Sequence, residues 1–274
     1  MTDLDDPAAR AALLDGIVTG ALKAGAEIRR IFDAGFEVEV KSDASPVTIA
    51  DRAAEAILLE TLLRLTPDIP VVAEEEAEAG RTPKVGDRFF LVDPLDGTKE
   101  FVCKGTDFTV NVGLIEDRTP TLGVIYAPAR GELYAGDAKT GQGWFSRDGG
   151  ARTPLHVRSP QDPPVALASK SHDVPETEAY LKAVGAGGRI SIGSSLKFCL
   201  LARGEADIYP RPSPTMEWDT AAGHAILLAA GGAAFAPEGG PLLYGKADYF
   251  NPGFLAVGAM QAPPIGPFMT KPGD

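Results

Sequence analysis

The run Asp93-Pro94-Leu95-Asp96-Gly97-Thr98-Lys99-Glu100-Phe101 follows an apolar, strand-like segment and concentrates cation- and anion-binding groups in what reads as one turn. Two carboxylates separated by a stiff Pro-Leu step can face one cation cluster, while the amides of Gly97 and Thr98 and the Thr98 hydroxyl can meet a phosphate or a water. Such a turn suggests metal-assisted hydrolysis of a phosphate ester. Magnesium takes oxygen ligands and keeps several waters, so the chemistry asks for a few carboxylates with room beside them. Glu74, in the acidic run Glu74-Glu75-Glu76 after Val71-Val72, is a further candidate. So is Asp219 in Trp218-Asp219-Thr220-Ala221-Ala222-Gly223, at the start of a small-residue helix where amides and a carboxylate can converge on one centre. Taken singly, each of these carboxylates is more often a surface charge or a helix cap. Their joint pattern is far more specific.

The elements that must position them follow from periodicity. Leu13, Leu14, Ile17, Ala21, Ala24, Ile28 and Ile31 recur at steps of three or four between Pro7 and Phe32 and predict a long amphipathic helix. Phe36 to Val40 alternates like a half-buried strand, Lys41 to Pro46 reads as a loop, and Ala50 to Leu65 predicts a second helix with Ala54, Ile57, Leu58 and Leu62 inward. Val71-Val72 and Phe89 to Val92 are short strands running into acidic residues, followed by strand-like pieces at Phe108 to Ile115, Leu122 to Tyr126 and Glu132 to Ala135 that suggest a largely antiparallel sheet. Beyond residue 150, strands at Val165 to Ala168, Ile190 to Ile192 and Ile208-Tyr209 alternate with helices near Val174 to Val184, Ser195 to Arg203 and Asp219 to Ala230. Gly204 and Gly231-Gly232 stand at helix stops, and the tail from Ala262 is rich in Pro and Gly. The expected division is a larger α+β lobe, 1–150, with most of the acidic candidates, and a smaller α/β lobe, 151–274.

With 274 residues, 44% of them hydrophobic, the chain is long enough for a sizeable core. A formal charge of −12 argues against a nucleic-acid partner, which needs a basic surface, but not against a small anion held through metal ions and a few placed cations. Cys103 and Cys199 make no disulfide framework and no metal-binding spacing, so a reducing cytoplasm fits best. The acidic start, Met1 to Arg10, is unlike a secretory signal, and no apolar run approaches the roughly 20 residues of a membrane span. Peripheral attachment at the inner face of the membrane stays open.

Asp93 to Phe101 and Trp218 to Ile226 resemble the two signature motifs of the inositol monophosphatase superfamily, and the resemblance extends over nearly the whole chain. Within it, Lys41 to Asp51, Gly193-Ser194-Ser195-Leu196-Lys197-Phe198-Cys199-Leu200-Leu201-Ala202 and Tyr209-Pro210-Arg211 look most like the CysQ branch of 3′(2′),5′-bisphosphate nucleotidases. The resemblance implies an α/β fold of alternating α and β layers and a lithium-sensitive hydrolase using two or three Mg²⁺ ions. The implied reaction takes adenosine 3′,5′-bisphosphate to AMP and phosphate, with the sulfated relative of that nucleotide as a second substrate, in the service of sulfate assimilation. By motif, Glu74, Asp93, Asp96, Asp219 and the Leu95 carbonyl become metal ligands, and Asp51 with Thr98 becomes the pair that orients or deprotonates the attacking water. The pairing is chemically sensible, since a Thr hydroxyl is a weak base alone but can relay a proton while Asp51 accepts its hydrogen bond. Gly97, Thr98, Ser194, Lys197 and Arg211 become substrate contacts. The implied partner is a small phosphorylated nucleotide, with no obligate protein partner, in a monomer or homodimer.

Each assignment has a plainer reading beside it. Thr98 and Ser194 could be helix caps, and Lys197 and Arg211 could form surface salt bridges. Many relatives carry Gly where this chain has Ala73, which leaves the roles of Glu75 and Glu76 open against a solvated charge run. His224 reads more readily as a packed histidine than as a substrate contact, His156 and His172 show no ligand spacing, nothing makes Cys103 a nucleophile, and Trp218 reads as a packing anchor. Two other functions compete with the nucleotidase reading: an inositol- or sugar-phosphate phosphatase sharing the same acidic core, and a non-catalytic metal- or nucleotide-binding regulator.

Overall fold

The computed structural model describes residues 4–40, 46–170 and 174–270. Lys41 to Ser45, from the stretch noted above, and His172 lie outside the described residues, as does the end of the tail, 271–274. Helix α1 (Pro7–Ala34) starts where the Asp6 carboxylate accepts the amides of Ala8 and Ala9, and it buries the predicted stripe from Leu13 to Ile31. Strand β1 (Val38–Val40) pairs antiparallel with β2 (Pro46–Thr48), which leads directly into α2 (Ile49–Leu65). Then come β3 (Val71–Ala73), the short α3 (Glu74–Glu78), β4 (Arg88–Asp96) and the short α4 (Thr98–Val102). A meander follows: β5 (Thr109–Glu116), β6 (Thr119–Ala127), β7 (Glu132–Asp137), β8 (Gln142–Arg147) and β9 (Thr153–Pro154). Strands β3 to β9 form one seven-stranded sheet in sequence order, antiparallel except for the parallel β3–β4 pair.

The second half contributes β10 (Val165–Ser169), α5 (Pro175–Ala183), β11 (Gly188–Ile192), α6 (Leu196–Ala202) and β12 (Ile208–Arg211). Beyond them lie β13 (Thr215–Met216), α7 (Trp218–Ala229), β14 (Ala233–Phe235), β15 (Phe250–Asn251) and β16 (Phe254–Val257). A mixed sheet runs β11-β10-β12-β16-β14, while β13 and β15 make a separate ribbon. Strands β8, β9 and β13 to β16 escape the sequence reading because they are two to six residues long or, in β8, half exposed and polar.

Packing stacks these elements in five layers. Phe90, Val92, Val110, Val112 and Val124 on one face of the large sheet meet α1 and α2. Phe89, Leu91, Ile125 and Tyr134 on the other face meet α6 and α7, which are covered in turn by Tyr209, Phe254 and Ala256 of the second sheet. The far side of that sheet, through Ile208, Leu255 and Val257, packs on Tyr180 and Leu181 of α5. Because both faces are covered at the centre of the large sheet, β4, β5 and β6 read as nearly continuous apolar runs.

Helix α7 comes from the second half of the chain yet lies against the first sheet, in a trough made by glycines. Gly113, Gly123 and Gly136 stand side by side across β5, β6 and β7. A Cβ at Gly123 would lie 2.2 Å from the Ala222 carbonyl oxygen, and one at Gly136 would lie 2.8 Å from Ile226 Cα. This close approach lowers α7 onto the sheet and carries Asp219 to the ends of β3 and β4. Gly123→Ala is therefore expected to cost about 1–3 kcal/mol in urea unfolding, as overpacking against backbone does. Gly143→Ala, next in the row but 3.4 Å from Leu155, should cost under about 0.5 kcal/mol. Equal losses at the two sites would refute the trough as the cause.

A second buried feature ties α1 to the ends of β5 and β7. Arg10, 2% exposed, donates to Asp137 at 2.8 and 3.0 Å and to Glu116 at 2.7 Å, and Thr121 and Lys139 also donate to Glu116. Burial by itself would raise the Glu116 carboxyl, but the hydrogen bonds of Thr121, Arg10 and Lys139 and the Arg10 charge outweigh it and bring it down to about 2. A folded value below the ordinary one gives stability that is fully present above about pH 4.5 and is lost as the pH falls toward 2, roughly 3 kcal/mol for this group. Denaturant unfolding at pH 5 and pH 3 should show a steeper acid loss for the parent than for Glu116→Gln. Equal losses would exclude this network as the source.

Candidate active site

The site begins at the N-terminus of α2. Thr48 caps the helix through a reciprocal box with Asp51, whose Oδ2 accepts both the Thr48 N–H and the Thr48 hydroxyl at 2.8 Å. The other oxygen of Asp51 faces Thr98, whose hydroxyl lies 3.1 Å from Asp51 Oδ1 and 3.0 Å from the Leu95 carbonyl and can donate to either. Asp51 is thus both a cap and the partner of Thr98. Burial raises its carboxyl, and the hydrogen bonds of Thr48 and Thr98 partly offset that rise. Thr98 itself is the first residue of α4, and Gly97 occupies the cap position in the left-handed region at φ 90°. A Cβ there would strike the Asp107 carbonyl at 2.8 Å, so the sharp exit from the acidic run requires glycine.

The acidic run is not a free turn. Strand β4 continues through it to Asp96, with its register against β5 broken between Asp93 and Asp96, so the two carboxylates sit where the ladder comes apart. Parallel pairing of Ala73 with Val92 sets Glu74, the first residue after β3, alongside Asp93 of β4. Asp93 is 1% exposed. Burial raises its carboxyl well above the usual range, and the charges of Glu74, Asp96 and Asp219 and a hydrogen bond with Glu74 add to the effect. Asp96 is pushed up to about 7, first by burial and then by Asp219, against the opposing influence of Lys197, Arg211 and the Ser195 N–H. Four carboxylates from β3–α3, β4 and α7 therefore share one electrostatic neighbourhood.

Among the described residues, no three acidic, imidazole or thiol side chains close on one point as a ready-made ion cage. Three of the four carboxylates accept hydrogen bonds from nearby donors. Asp93 accepts the Leu95 amide at 3.0 Å, Asp96 the Ser195 amide at 2.6 Å, and Asp219 the Thr215 hydroxyl and the Met216 amide. Mutual repulsion and these hydrogen bonds oppose convergence, whereas a divalent cation would favour it. An all-oxygen set with buried, like-charged members is the donor chemistry of a hard cation such as Mg²⁺.

The second half of the chain closes the site through Gly193, Ser194 and Ser195. Gly193 passes so close to the first half that a Cβ would lie 2.8 Å from Asp107 Cβ, and Ser194 takes φ 49°. Ser195, rather than Ser194, is the cap residue of α6, and neither side chain caps it. The Ser195 hydroxyl instead donates to Asn111 Oδ1 at 2.8 Å and lies 2.9 Å from Thr109, while Ser194 Oγ accepts from Thr109 at 3.2 Å. Lys197 sits beneath this loop, 2% exposed, donating to the carbonyls of Ile192 and Ser194 at 3.1 and 2.6 Å. Burial and the Arg211 charge lower its ammonium to about 8, against the pull of Asp96, Glu100 and Asp107. Arg211 lines a small cleft with Asp96, Ser194, Tyr209 and Asp219. One of its amino groups donates to the Pro214 carbonyl at 3.2 Å, a hydrogen bond with Tyr209 also holds the guanidinium, and its buried Nε has no acceptor among the described residues.

The structure thus gathers Asp51, Thr98, Leu95, Glu74, Asp93, Asp96, Asp219 and Arg211 around one region, with Gly97 and Ser194 at its turns. Lys197 supports the loop from below. Asn111, Thr109 and Glu55 went unremarked in the sequence, and Ser195 was read there only as a helix start within the Gly193-to-Ala202 stretch, with no contact assigned to it. Glu55 had a legible signal, a charged residue four positions after Asp51 on the face that also presents Leu58 and Leu62. The others had none, because their partners are about a hundred residues away.

The plainer readings divide. Glu76 pairs with Arg81 at 2.6 Å near the surface. His224 is buried, 3.1 Å from the Tyr244 hydroxyl, and burial lowers it to about 3, which keeps the ring neutral. Trp218 packs against Tyr249, Cys103 is exposed and Cys199 buried. No helix among the described residues is long and apolar enough to cross a membrane.

The five alternating layers agree with the fold that the resemblance implies, and the chain belongs to the inositol monophosphatase family, whose model matches residues 10–259. Its relatives narrow the comparison. It is 44% identical over 245 residues to the 3′(2′),5′-bisphosphate nucleotidase CysQ of Escherichia coli, covering 88% of this chain and 98% of that protein. It is 40% identical over 249 residues to the protein of the same name from Buchnera aphidicola, covering 89% and 93%. Among solved structures, CysQ from Bacteroides thetaiotaomicron matches with a TM-score of 0.76 at 37% identity, over 91% of this chain and 98% of that one. An inositol monophosphatase from Anabaena matches with a TM-score of 0.71 at 27% identity, over 93% and 97%.

Proposed function

We propose that this chain is a Mg²⁺-dependent phosphomonoesterase that hydrolyses the 3′-phosphate of adenosine 3′,5′-bisphosphate to AMP and phosphate, and acts likewise on the sulfated relative. Support for the substrate comes from the 44% identity over 98% of the Escherichia coli nucleotidase. Support for the chemistry comes from Thr98, held between Asp51 and the Leu95 carbonyl beside the carboxylate group. Glu74, Asp93, Asp96, Asp219 and the Leu95 carbonyl would hold two or three ions, which when bound neutralise the phosphoryl group and acidify water.

The chain's own residues supply the rest. When the Thr98 hydroxyl donates to Asp51, its oxygen lone pairs are free to accept a hydrogen from the attacking water and so aim the water oxygen at phosphorus. The new oxygen–phosphorus bond forms as the bond to the ribose 3′-oxygen breaks, in line and without a phosphoenzyme. Arg211, whose buried Nε lacks an acceptor among the described residues and which lines one cleft with Asp96 and Asp219, would meet the phosphate that is retained. Two unpaired thiols suit a cytoplasmic setting.

The test is phosphate release from adenosine 3′,5′-bisphosphate, its sulfated relative, inositol 1-phosphate and fructose 1,6-bisphosphate under Mg²⁺. The nucleotide is expected to give the highest kcat/KM. Faster turnover of inositol 1-phosphate would overturn the substrate, and no turnover of any ester would overturn the enzyme.

A further inference from the structure

Helix α2 carries two buried carboxylates one turn apart. The first, Asp51, meets Thr98. The second, Glu55, is 4% exposed, and its Oε2 accepts the Glu75 N–H at 2.9 Å. The Glu76 N–H is also directed at it. These amides belong to the first turn of α3, whose cap residue, Ala73, makes no side-chain cap hydrogen bond. The opening amides of α3 are therefore satisfied by a side chain about twenty positions earlier in the chain. Glu74 is the residue at which the chain passes from β3 into that turn.

We infer that Glu55 is a positioning residue for Glu74: by holding the amides of Glu75 and Glu76, it sets the direction in which the Glu74 carboxylate leaves β3. Helix α2 then orients two parts of the machinery as one rigid piece, the Asp51–Thr98 pair through its first turn and Glu74 through its second. A cation makes the requirement strict, because a ligand that swings away loses its bond, and outer partners of ligands are commonly worth 10–100-fold in metal affinity. This inference rests on Glu74 being a metal ligand, as proposed above.

The test uses the full chain without substrate and reads Mn²⁺ binding by electron paramagnetic resonance, alongside Tm and the Mg²⁺ concentration for half-maximal activity. Glu55→Ala is expected to weaken Mn²⁺ binding about 10–100-fold and to raise the Mg²⁺ demand in parallel. Glu55→Gln should restore both to within about threefold of the parent, since its carbonyl oxygen can accept the same N–H groups. Should Glu55→Ala fail to fold, Glu55→Asp, which keeps the charge but withdraws the acceptor by one methylene, is expected to weaken Mn²⁺ binding severalfold by the same route. In a Glu74→Ala background, removing Glu55 should bring no further loss of Mn²⁺ affinity, because the two act as one unit. Mn²⁺ affinity unchanged in the Glu55 variants, whatever happens to Tm, would make Glu55 a helix support only and overturn the inference while leaving the metal site standing. A parent protein that binds no Mn²⁺, or a Glu74→Ala variant that binds it as well as the parent, would instead overturn the ligand reading and this inference with it.

Discussion

Asp93→Asn is expected to lower phosphate release at least about a hundredfold, because Asp93 is proposed as a direct metal ligand and its loss should exceed the 10–100-fold typical of outer partners. The same substitution should raise the Tm of the metal-free protein. Asp93 is almost wholly buried, and Glu74, Asp96 and Asp219 all disfavour its charge. Replacing it with a neutral side chain of nearly equal volume removes that repulsion, while the amide oxygen can still accept the Leu95 N–H. Opposite movement of activity and stability is the signature of a functional charge held against the preference of the fold. An active Asp93→Asn enzyme, or one that melts well below the parent, would show that Asp93 is a structural carboxylate.

The second large effect is expected at Thr98. Thr98→Val keeps the shape and removes the hydroxyl that lies between Asp51 and the Leu95 carbonyl. Its kcat should fall about 10²–10⁴-fold, the usual worth of positioned acid–base chemistry, with KM and the Mg²⁺ demand within a few-fold of the parent. Asp51 complicates its own test because its second oxygen closes the α2 capping box. Asp51→Asn has one accepting oxygen where two are in use, so it must give up either Thr48 or Thr98. Catalytic residues that act as a unit are strongly non-additive, so Asp51→Asn combined with Thr98→Val should be no slower than the worse single variant. Multiplying losses would mean that the two residues serve the reaction separately, and a Thr98→Val enzyme within threefold of the parent would remove Thr98 from it.

Legibility varied with how local the cause was. The stripe of α1 and the glycine exits of the helices were readable because their partners lie within four residues. Strand β4 was readable only to Val92: two acidic residues around a proline resemble a turn, whereas pairing with β3 and β5 keeps the chain extended as far as Asp96. Lys197 shows the limit from the other side. A lysine one turn into a helix after a Gly-Ser-Ser loop invites a phosphate; in the fold its ammonium also donates to the carbonyls of Ile192 and Ser194, contacts that no motif announces.

By itself, the sequence determined the family, the acidic residues at the ends of strands and the Asp51–Thr98 pairing, since short motifs record which groups a chemistry needs. Tertiary structure decided how those groups are held. The glycine trough lowers α7 so that Asp219 reaches β4, the Ser195 amide fastens Asp96 from the second half of the chain, and Glu55 secures the turn that begins at Glu74. The physical reason is separation along the chain. Each of these supports joins residues from about twenty to about a hundred positions apart, and only packing brings such residues within the 3 Å at which a hydrogen bond can form.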